Sequence, residues 1–220
     1  MNPMPGVEDR ARVSRGTSHE AIHRRVAAVI RRRRSGGGTL LDVGCGVGSL
    51  WPFVAEDFDH YLGADVVRYD GFPEAGTFCP VDLDAGRVDL PDAAADVVAA
   101  VETIEHLENP RAFMRELVRL TRPGGLVIVT TPNQLSLLSK LTLLLRNQFN
   151  AFQERPGLYP AHLTALLEID LLRIARECGL IDAAARYTNS GRMPGTPWSW
   201  PRPLGGRAFS DNVILEAVRP

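Results

Sequence analysis

The segment that most constrains the fold of this chain is the run LLDVGCGVG at residues 40–48. Its first half is an apolar strand, its second half is a glycine-rich turn, and Ser49–Val54 after it predicts the start of a helix. A strand, a tight glycine turn and a helix N-terminus form a nucleotide-binding element, because bare backbone amides can approach a ligand there. Glycine also permits the positive φ angles that such a turn needs. We therefore expect an α/β fold with a ligand at this turn.

The acid inside the run, Asp42, indicates which kind of nucleotide fits. A dinucleotide places its pyrophosphate on these amides, and a carboxylate two residues before the first glycine would repel it. The third glycine of a G-x-G-x-x-G fingerprint would also fall at position 49, which is Ser49. Asp42 suits a ligand with a cationic end and no phosphate. S-adenosylmethionine (SAM) carries an ammonium and a sulfonium, so we predict SAM as the cofactor and disfavour a nicotinamide dehydrogenase.

Composition and charge limit the class of protein further. The chain has 220 residues, of which 45% are hydrophobic, and its net charge is −1 at pH 7. It is long enough to bury a sizeable core, and its charge argues against a general nucleic-acid binder. No apolar run reaches the roughly 18 residues of a membrane span, and no signal peptide is expected. The cysteines at positions 45, 79 and 178 are too scattered for a disulfide framework or a metal site, so we expect a cytoplasmic protein without a metal.

Strands and helices alternate along most of the chain, which predicts a parallel sheet with helices on both faces. Residues 1–16 are predicted to be a flexible arm and residues 17–220 a single domain. Glycine and proline within 66–76 argue against a full crossover helix there. The predicted strands are 39–43, 60–65, 77–83, 95–101, 126–131, a strand from about 180, and 212–218. The predicted helices are 17–34, with Thr17 and Glu20 as a capping box, 49–58, 109–121, 134–149 and 164–178.

Acidic residues end the first three predicted strands, at the sheet edge where open α/β folds bind ligands. Asp42 ends the first strand. Asp65 ends the second, 19 residues after Gly46, where a carboxylate can accept hydrogen bonds from both ribose hydroxyls of an adenosine. Asp82 ends the third and could accept from the adenine amino group, although Asp84 could take that place. Together the three acids predict an adenosine site beside the glycine turn.

Two further segments carry family motifs. Residues 95–107 read ADVVAAVETIEHL, a hydrophobic strand followed by Glu-x-x-Glu-His, and residues 121–126 read TRPGGL. Together with the run at 40–48, they resemble the class I SAM-dependent methyltransferases, and bacterial small-molecule enzymes such as the quinone-biosynthesis O-methyltransferases in particular. The resemblance covers residues 39–133. It implies a Rossmann-like sheet of seven strands with the last antiparallel, and SAM lying over strands one, two and four.

Glu102 follows the fourth predicted strand directly and is expected to line the pocket for the methionine part of SAM. It completes the set of residues that we predict to bind the cofactor. The set is Asp42, Gly44, Cys45, Gly46, Gly48, Asp65, Val66, Asp82, Leu83 and Glu102.

Methyl transfer from SAM is an in-line displacement at a cationic sulfur, so the protein must mainly hold the acceptor near attack distance. A general base adds about 10²–10⁴-fold if the acceptor must lose a proton. His106 follows the fourth strand at the rim of the cleft and is the first candidate for that base. His162, at the end of the insertion described next, is the second candidate. Packing roles for either histidine remain alternatives.

The leucine-rich segment at about 134–160 is predicted to be an insertion after the fifth strand. It could act as a hydrophobic lid over the acceptor, pack beneath the following helix, form part of a homodimer, or lie on a membrane surface. The expected activity is transfer of a methyl group to a hydroxyl of a small metabolite, sugar or lipid-like acceptor. The alternatives are N- or C-methylation, a macromolecular acceptor, or a catalytically silent SAM-fold subunit that binds a partner.

Overall fold

The structure is a computed structural model that describes residues 7–14, 16–154, 161–201 and 203–220. Its strands are, in chain order, β1 (Thr39–Val43), β2 (His60–Asp65), β3 (Thr77–Pro80), β4 (Ala95–Ala100), β5 (Thr121–Pro132), β6 (Ile181–Tyr187) and β7 (Asn212–Val218). Its helices are α1 (Val7–Ser14), α2 (Glu20–Arg33), α3 (Trp51–Val54), α4 (Pro110–Leu120), α5 (Leu137–Arg146) and α6 (Glu168–Glu177).

The strands form one seven-stranded sheet in the order β3-β2-β1-β4-β5-β7-β6. The pairings among β1 to β5 are parallel, whereas β7 pairs antiparallel with both β5 and β6. This confirms the predicted Rossmann-like α/β sheet with an antiparallel last strand. The strand order reverses between β1 and β4, and ligands of open α/β sheets bind in the crevice at such a point.

Helices cover both faces of the sheet, as predicted. Neighbouring residues of a strand point to opposite faces, and the two hydrophobic clusters divide accordingly. Leu40 and Val97 pack with side chains of α2 and α3, whereas Leu41 and Val98 pack with side chains of α4 and α6. All five residues of β1 are buried, which is typical of a parallel strand covered on both sides. No helix within the described ranges is both long and apolar enough to span a membrane.

Several boundaries differ from the sequence prediction. Strand β3 ends at Pro80 instead of residue 83, and proline has no N–H group to continue the ladder. Helix α3 is a single turn followed by a 3-10 turn at Ala55–Asp57, shorter than the predicted 49–58. The Thr17–Glu20 capping box is wrong, because helix α2 begins at Glu20 and is capped by His19, whose Nδ1 accepts from the Ala21 amide at 3.2 Å.

Part of the N-terminal segment contacts the rest of the chain, whereas residues 1–6 and 15 lie outside the described residues. Residues 7–14 form α1, and the Tyr69 hydroxyl donates to the carbonyl oxygen of Ala11 at 2.8 Å. The Val47 amide donates to the carbonyl oxygen of Gly16 at 3.1 Å. The segment is therefore attached to the glycine-rich turn that follows β1.

Candidate active site

A cavity of about 340 Å³ lies at the carboxyl ends of β1, β2 and β4, where an open α/β sheet is expected to bind its ligand. Most of the predicted site residues meet there. Those that line it are Asp42, Gly44, Cys45, Asp65, Val66, Leu83, Glu102, His106 and His162. Gly46, Gly48 and Asp82 do not line it.

Asp42 is a buried carboxylate with an incomplete set of partners. Its Oδ2 accepts a hydrogen bond from the Tyr61 hydroxyl at 3.1 Å, whereas its Oδ1 has no partner among the described residues. Burial, with a smaller contribution from the nearby Asp65, raises the pKa of Asp42 to about 7, although the hydrogen bond from Tyr61 acts in the opposite direction. A buried carboxylate oxygen at a cavity wall without a donor fits a ligand that brings a cation. The SAM ammonium is such a group, so the residues present fit this cofactor.

Asp42 leads to a prediction for ligand binding. We expect the affinity for S-adenosylhomocysteine to rise about tenfold from about pH 6 to about pH 8, because the carboxylate that faces the ligand's ammonium loses its proton over that interval. Calorimetric titration at the two pH values measures this change, and Asp42→Asn should abolish it. Equal affinity of the unsubstituted protein at both pH values would contradict this assignment.

The stability of the ligand-free protein should change in the opposite direction. The pKa of Asp42 is raised in the folded state from its ordinary 3.8 to about 7, so the folded state holds this proton more tightly. Its contribution to stability is complete below about pH 4 and is lost as the pH rises through about 7. Thermal unfolding across this interval, with Asp42→Asn as the control, measures the loss.

The glycines of the turn shape the loop more than they contact the cavity. Gly44, Gly46 and Gly48 have φ angles of 76°, 52° and 76°, in the left-handed region. A Cβ at Gly46 would lie 2.0 Å from the carbonyl oxygen of Gly16, and a Cβ at Gly44 would lie 2.3 Å from Thr103 Oγ1. Only glycine therefore allows the close approach of the N-terminal segment to this loop.

Asp65 ties the end of β2 to the glycine turn. Its Oδ2 accepts from the Gly46 amide at 2.8 Å, and its Oδ1 accepts from the Val66 amide at 2.7 Å. Burial raises the pKa of Asp65, although these backbone hydrogen bonds act in the opposite direction. Oδ1 also accepts from the Val67 amide at 3.5 Å, whereas Oδ2 keeps a second lone pair, so Asp65 can also accept from a ligand hydroxyl in the cavity.

The third predicted acid, Asp82, is placed outside the cavity, and Asp84 lines it instead. Asp82 Oδ1 accepts from the amides of Asp84 and Ala85 at 3.0 and 3.3 Å, which closes a turn. The reason is the early end of β3 at Pro80, since Asp82 then lies in the turn beyond the strand. Asp84 is held in turn by the Glu108 amide, which donates to its Oδ1 at 2.8 Å.

Glu102 follows β4 with a φ of 52°, a backbone conformation that is uncommon for a residue other than glycine. Its Oε1 accepts from the Thr130 hydroxyl at 2.8 Å, and its Oε2 accepts from Asn212 Nδ2 at 2.6 Å. Burial raises the pKa of Glu102 to about 7. Strained backbone next to a cavity is frequently part of a functional site. Asn212 is the first residue of β7, and the sequence prediction did not include it among the site residues.

The sequence prediction also missed the N-terminal wall of the cavity. No motif marks these residues, because their contacts with the glycine turn join distant parts of the chain. Tyr69, whose hydroxyl donates to the carbonyl oxygen of Ala11 in α1, also lines the cavity. The wall consists of Ala11, Gly16, Thr17, Ser18, His19, Ile22 and His23.

The two candidate bases, His106 and His162, lie next to each other at one end of the cavity. Their ring centroids are 4.7 Å apart, with the rings edge to face. His106 Nδ1 donates to the carbonyl oxygen of Ala161, and His162 Nδ1 donates to that of Ala151, each at 2.8 Å. Burial, with a smaller effect of His106, lowers the pKa of His162 to about 4, so this imidazole is neutral at pH 7.

The predicted insertion contains α5, whose leucines are largely exposed. Leu144 and Leu145 have 79% and 72% of their surface exposed, so packing beneath α6 is wrong as an explanation of this leucine-rich helix. No residue of 134–154 lines the cavity, and residues 155–160 lie outside the described part of the chain. The lid and the homodimer stay predictions.

The fold and this site together define a class I SAM-dependent methyltransferase domain, and comparison with known proteins agrees. A family described as "Methyltransferase domain" matches residues 17–180. The chain belongs to this family of SAM-dependent methyltransferases.

Individual relatives are similar over part of their length. A probable S-adenosylmethionine-dependent methyltransferase of Mycolicibacterium smegmatis is 32% identical over 78% of this chain and 66% of its own. A ubiquinone biosynthesis O-methyltransferase of Rhodopseudomonas palustris is 33% identical over 43% of this chain and 40% of its own. The chain therefore spans two thirds or less of the length of these relatives.

A crystal structure of a SAM-dependent methyltransferase from Thermotoga maritima has the same fold. It superimposes with a TM-score of 0.68 at 14% identity, covering 96% of this chain and 91% of that one. Identity this low establishes the fold alone, and the acceptor has to be argued from the site.

Proposed function

We propose that this chain transfers the methyl group of SAM to a hydroxyl of a small metabolite, sugar or lipid-like acceptor. The observation that carries the proposal is the unpartnered Asp42 Oδ1 at the wall of a cavity that also contains Asp65 and the histidine pair. Asp42 would hold the ammonium of SAM, Asp65 the ribose hydroxyls, and Asp84 the adenine amino group. The acceptor would then approach from the histidine side.

A hydroxyl acceptor is supported by the chemistry of that side. An alcohol or phenol must lose a proton to become a good nucleophile, and a neutral imidazole is suited to take one near pH 7. His106 is the first candidate for this role and His162 the second, because both line the cavity and each is oriented by a hydrogen bond through Nδ1. An uncharged alcohol also agrees with a net charge of −1, which disfavours nucleic acid.

A panel of acceptors with methyl-labelled SAM tests the proposal. It should contain phenols, sugars, lipid-like alcohols, primary amines and a mixed RNA sample, with the full chain and a Gly46→Val control. We expect label in a hydroxyl compound and none with the control protein. Label confined to amines or RNA would refute the hydroxyl proposal. Tight binding of SAM without transfer to any member would favour a silent binding subunit.

A further inference from the structure

Three residues at the histidine end of the cavity form a cluster of metal-type ligands. One ligand atom each of Glu105, His106 and His162 lies within 4.8 Å of the other two. Within the described residues this is the one group of three or more such side chains so close together. Two imidazoles and a carboxylate are the donor set of many catalytic zinc sites and of non-haem iron sites.

Glu105 provides an independent reason to expect a cation. Its side chain is completely buried, and neither carboxyl oxygen has a hydrogen-bond partner among the described residues. The Thr131 hydroxyl lies near Glu105, but its Oγ1 makes no hydrogen bond of normal geometry. A buried carboxyl group without a partner is costly, and a metal ion is one of the few partners that compensates it.

The histidines are oriented as metal-binding histidines usually are. A metal-ligating imidazole commonly donates its other ring N–H to a backbone carbonyl, which fixes its tautomer and orientation. His106 and His162 both do so through Nδ1, to Ala161 and Ala151, and such a tautomer carries its lone pair on Nε2.

We propose that Glu105, His106 and His162 bind a divalent transition-metal ion of the Zn²⁺ or Mn²⁺ type at this end of the cavity. Ligand atoms that each lie about 2.0–2.2 Å from one metal ion are about 3–3.5 Å from one another. The ligand atoms here lie within 4.8 Å of one another, so small side-chain rotations must bring them closer when the metal binds. The two histidines line the cavity, whereas Glu105 is fully buried and does not line it. The open coordination positions of the metal therefore face the space that an acceptor would occupy.

The part such a metal plays in catalysis rests on the proposed function. An acceptor hydroxyl bound to the metal has a lowered pKa and releases its proton to water. An electron pair on the acceptor oxygen then forms the new C–O bond to the methyl carbon. The C–S bond of SAM breaks at the same time, and the electron pair of that bond goes to sulfur. When the metal is bound, both histidines act as its ligands and water takes the proton; without the metal they remain the candidate bases of the proposed function.

Titration of the chelator-treated full chain with Zn²⁺, Mn²⁺, Co²⁺ or Mg²⁺ alone tests the site. Calorimetry gives the stoichiometry and affinity of metal binding. Co²⁺ also gains a stronger visible absorption band when it exchanges its octahedral water shell for protein ligands. We expect one equivalent of Zn²⁺, Mn²⁺ or Co²⁺ to bind, with Mg²⁺ weaker. Glu105→Gln and His162→Gln should each weaken binding by about 100-fold or more. The control His60→Gln removes an exposed histidine at the start of β2 and should change nothing.

S-adenosylhomocysteine binding, measured on the same samples, separates the possible failures. A variant that still binds it is folded, so its loss of metal affinity reports on the site. Binding of less than one equivalent by the unsubstituted chain, or equal metal affinity in all variants, would overturn the metal site. A metal failure with normal S-adenosylhomocysteine binding leaves the proposed function intact. A chain that binds the metal but not S-adenosylhomocysteine would refute the proposed function alone.

Discussion

Replacing Gly46 with valine is expected to abolish cofactor binding, because the new side chain would collide with backbone. A Cβ at this position would lie 2.0 Å from the carbonyl oxygen of Gly16 and 2.6 Å from its carbon, and backbone cannot rotate away as a side chain can. The φ of 52° adds strain, since β-branched residues strongly avoid that region. The loop must move, and the hydrogen bond from the Gly46 amide to Asp65 moves with it.

Gly124→Val is the matched control for this substitution. Gly124 has a similar positive φ of 75°, but nothing lies within 4 Å of a Cβ built there. It should lower the melting temperature through strain alone and leave the affinity for S-adenosylhomocysteine unchanged in calorimetry. If Gly46→Val binds S-adenosylhomocysteine as well as Gly124→Val does, the N-terminal segment does not define the shape of this site.

The second large effect is expected for Asp65→Ala, which should weaken S-adenosylhomocysteine binding by about 2–4 kcal/mol. The substitution removes acceptors for the ribose hydroxyls. It also removes the acceptors that hold the Gly46 and Val66 amides at 2.8 and 2.7 Å, so the loop loses its attachment to β2. Calorimetric titration of the variant measures the change.

Asp59→Ala separates the ligand effect from a general loss of loop structure. Asp59 Oδ2 also accepts from a backbone amide, that of Gly38 at 2.7 Å, but Asp59 does not line the cavity. We expect it to reduce stability without changing ligand affinity. Comparable affinity losses in both variants would mean that Asp65 acts through stability and makes no direct contact with the ligand.

The sequence predicts the central strands and the acids beside them well, because each signal is local. The apolar run before Asp42 can only be a buried strand, and the glycines after it require a turn. Asp65 follows from the same logic, as it ends the next strand. Asp82 lies outside the cavity lining because its placement depends on where β3 ends, and one proline moves that end to residue 80. Because β3 ends three residues earlier than predicted, Asp84 lines the cavity in place of Asp82.

Contacts between distant parts of the chain could not be predicted in this way. The carbonyl oxygen of Gly16 accepts a hydrogen bond from the Val47 amide in the glycine turn, and nothing in the composition of the first residues indicates this contact. The position of His162 beside His106 joins parts of the chain that are distant in sequence, although both histidines were candidates individually. Glu105 has no signal of its own apart from its place in the Glu-x-x-Glu-His motif, because its lack of partners is a property of the packed interior.

The central claim is that the cavity at the carboxyl ends of β1, β2 and β4 binds SAM. Calorimetric titration of the full chain with S-adenosylhomocysteine, and separately with NAD, tests it most directly. We expect one equivalent of S-adenosylhomocysteine to bind with a micromolar Kd and NAD to give no binding heat. Binding of NAD together with no response to S-adenosylhomocysteine would contradict it.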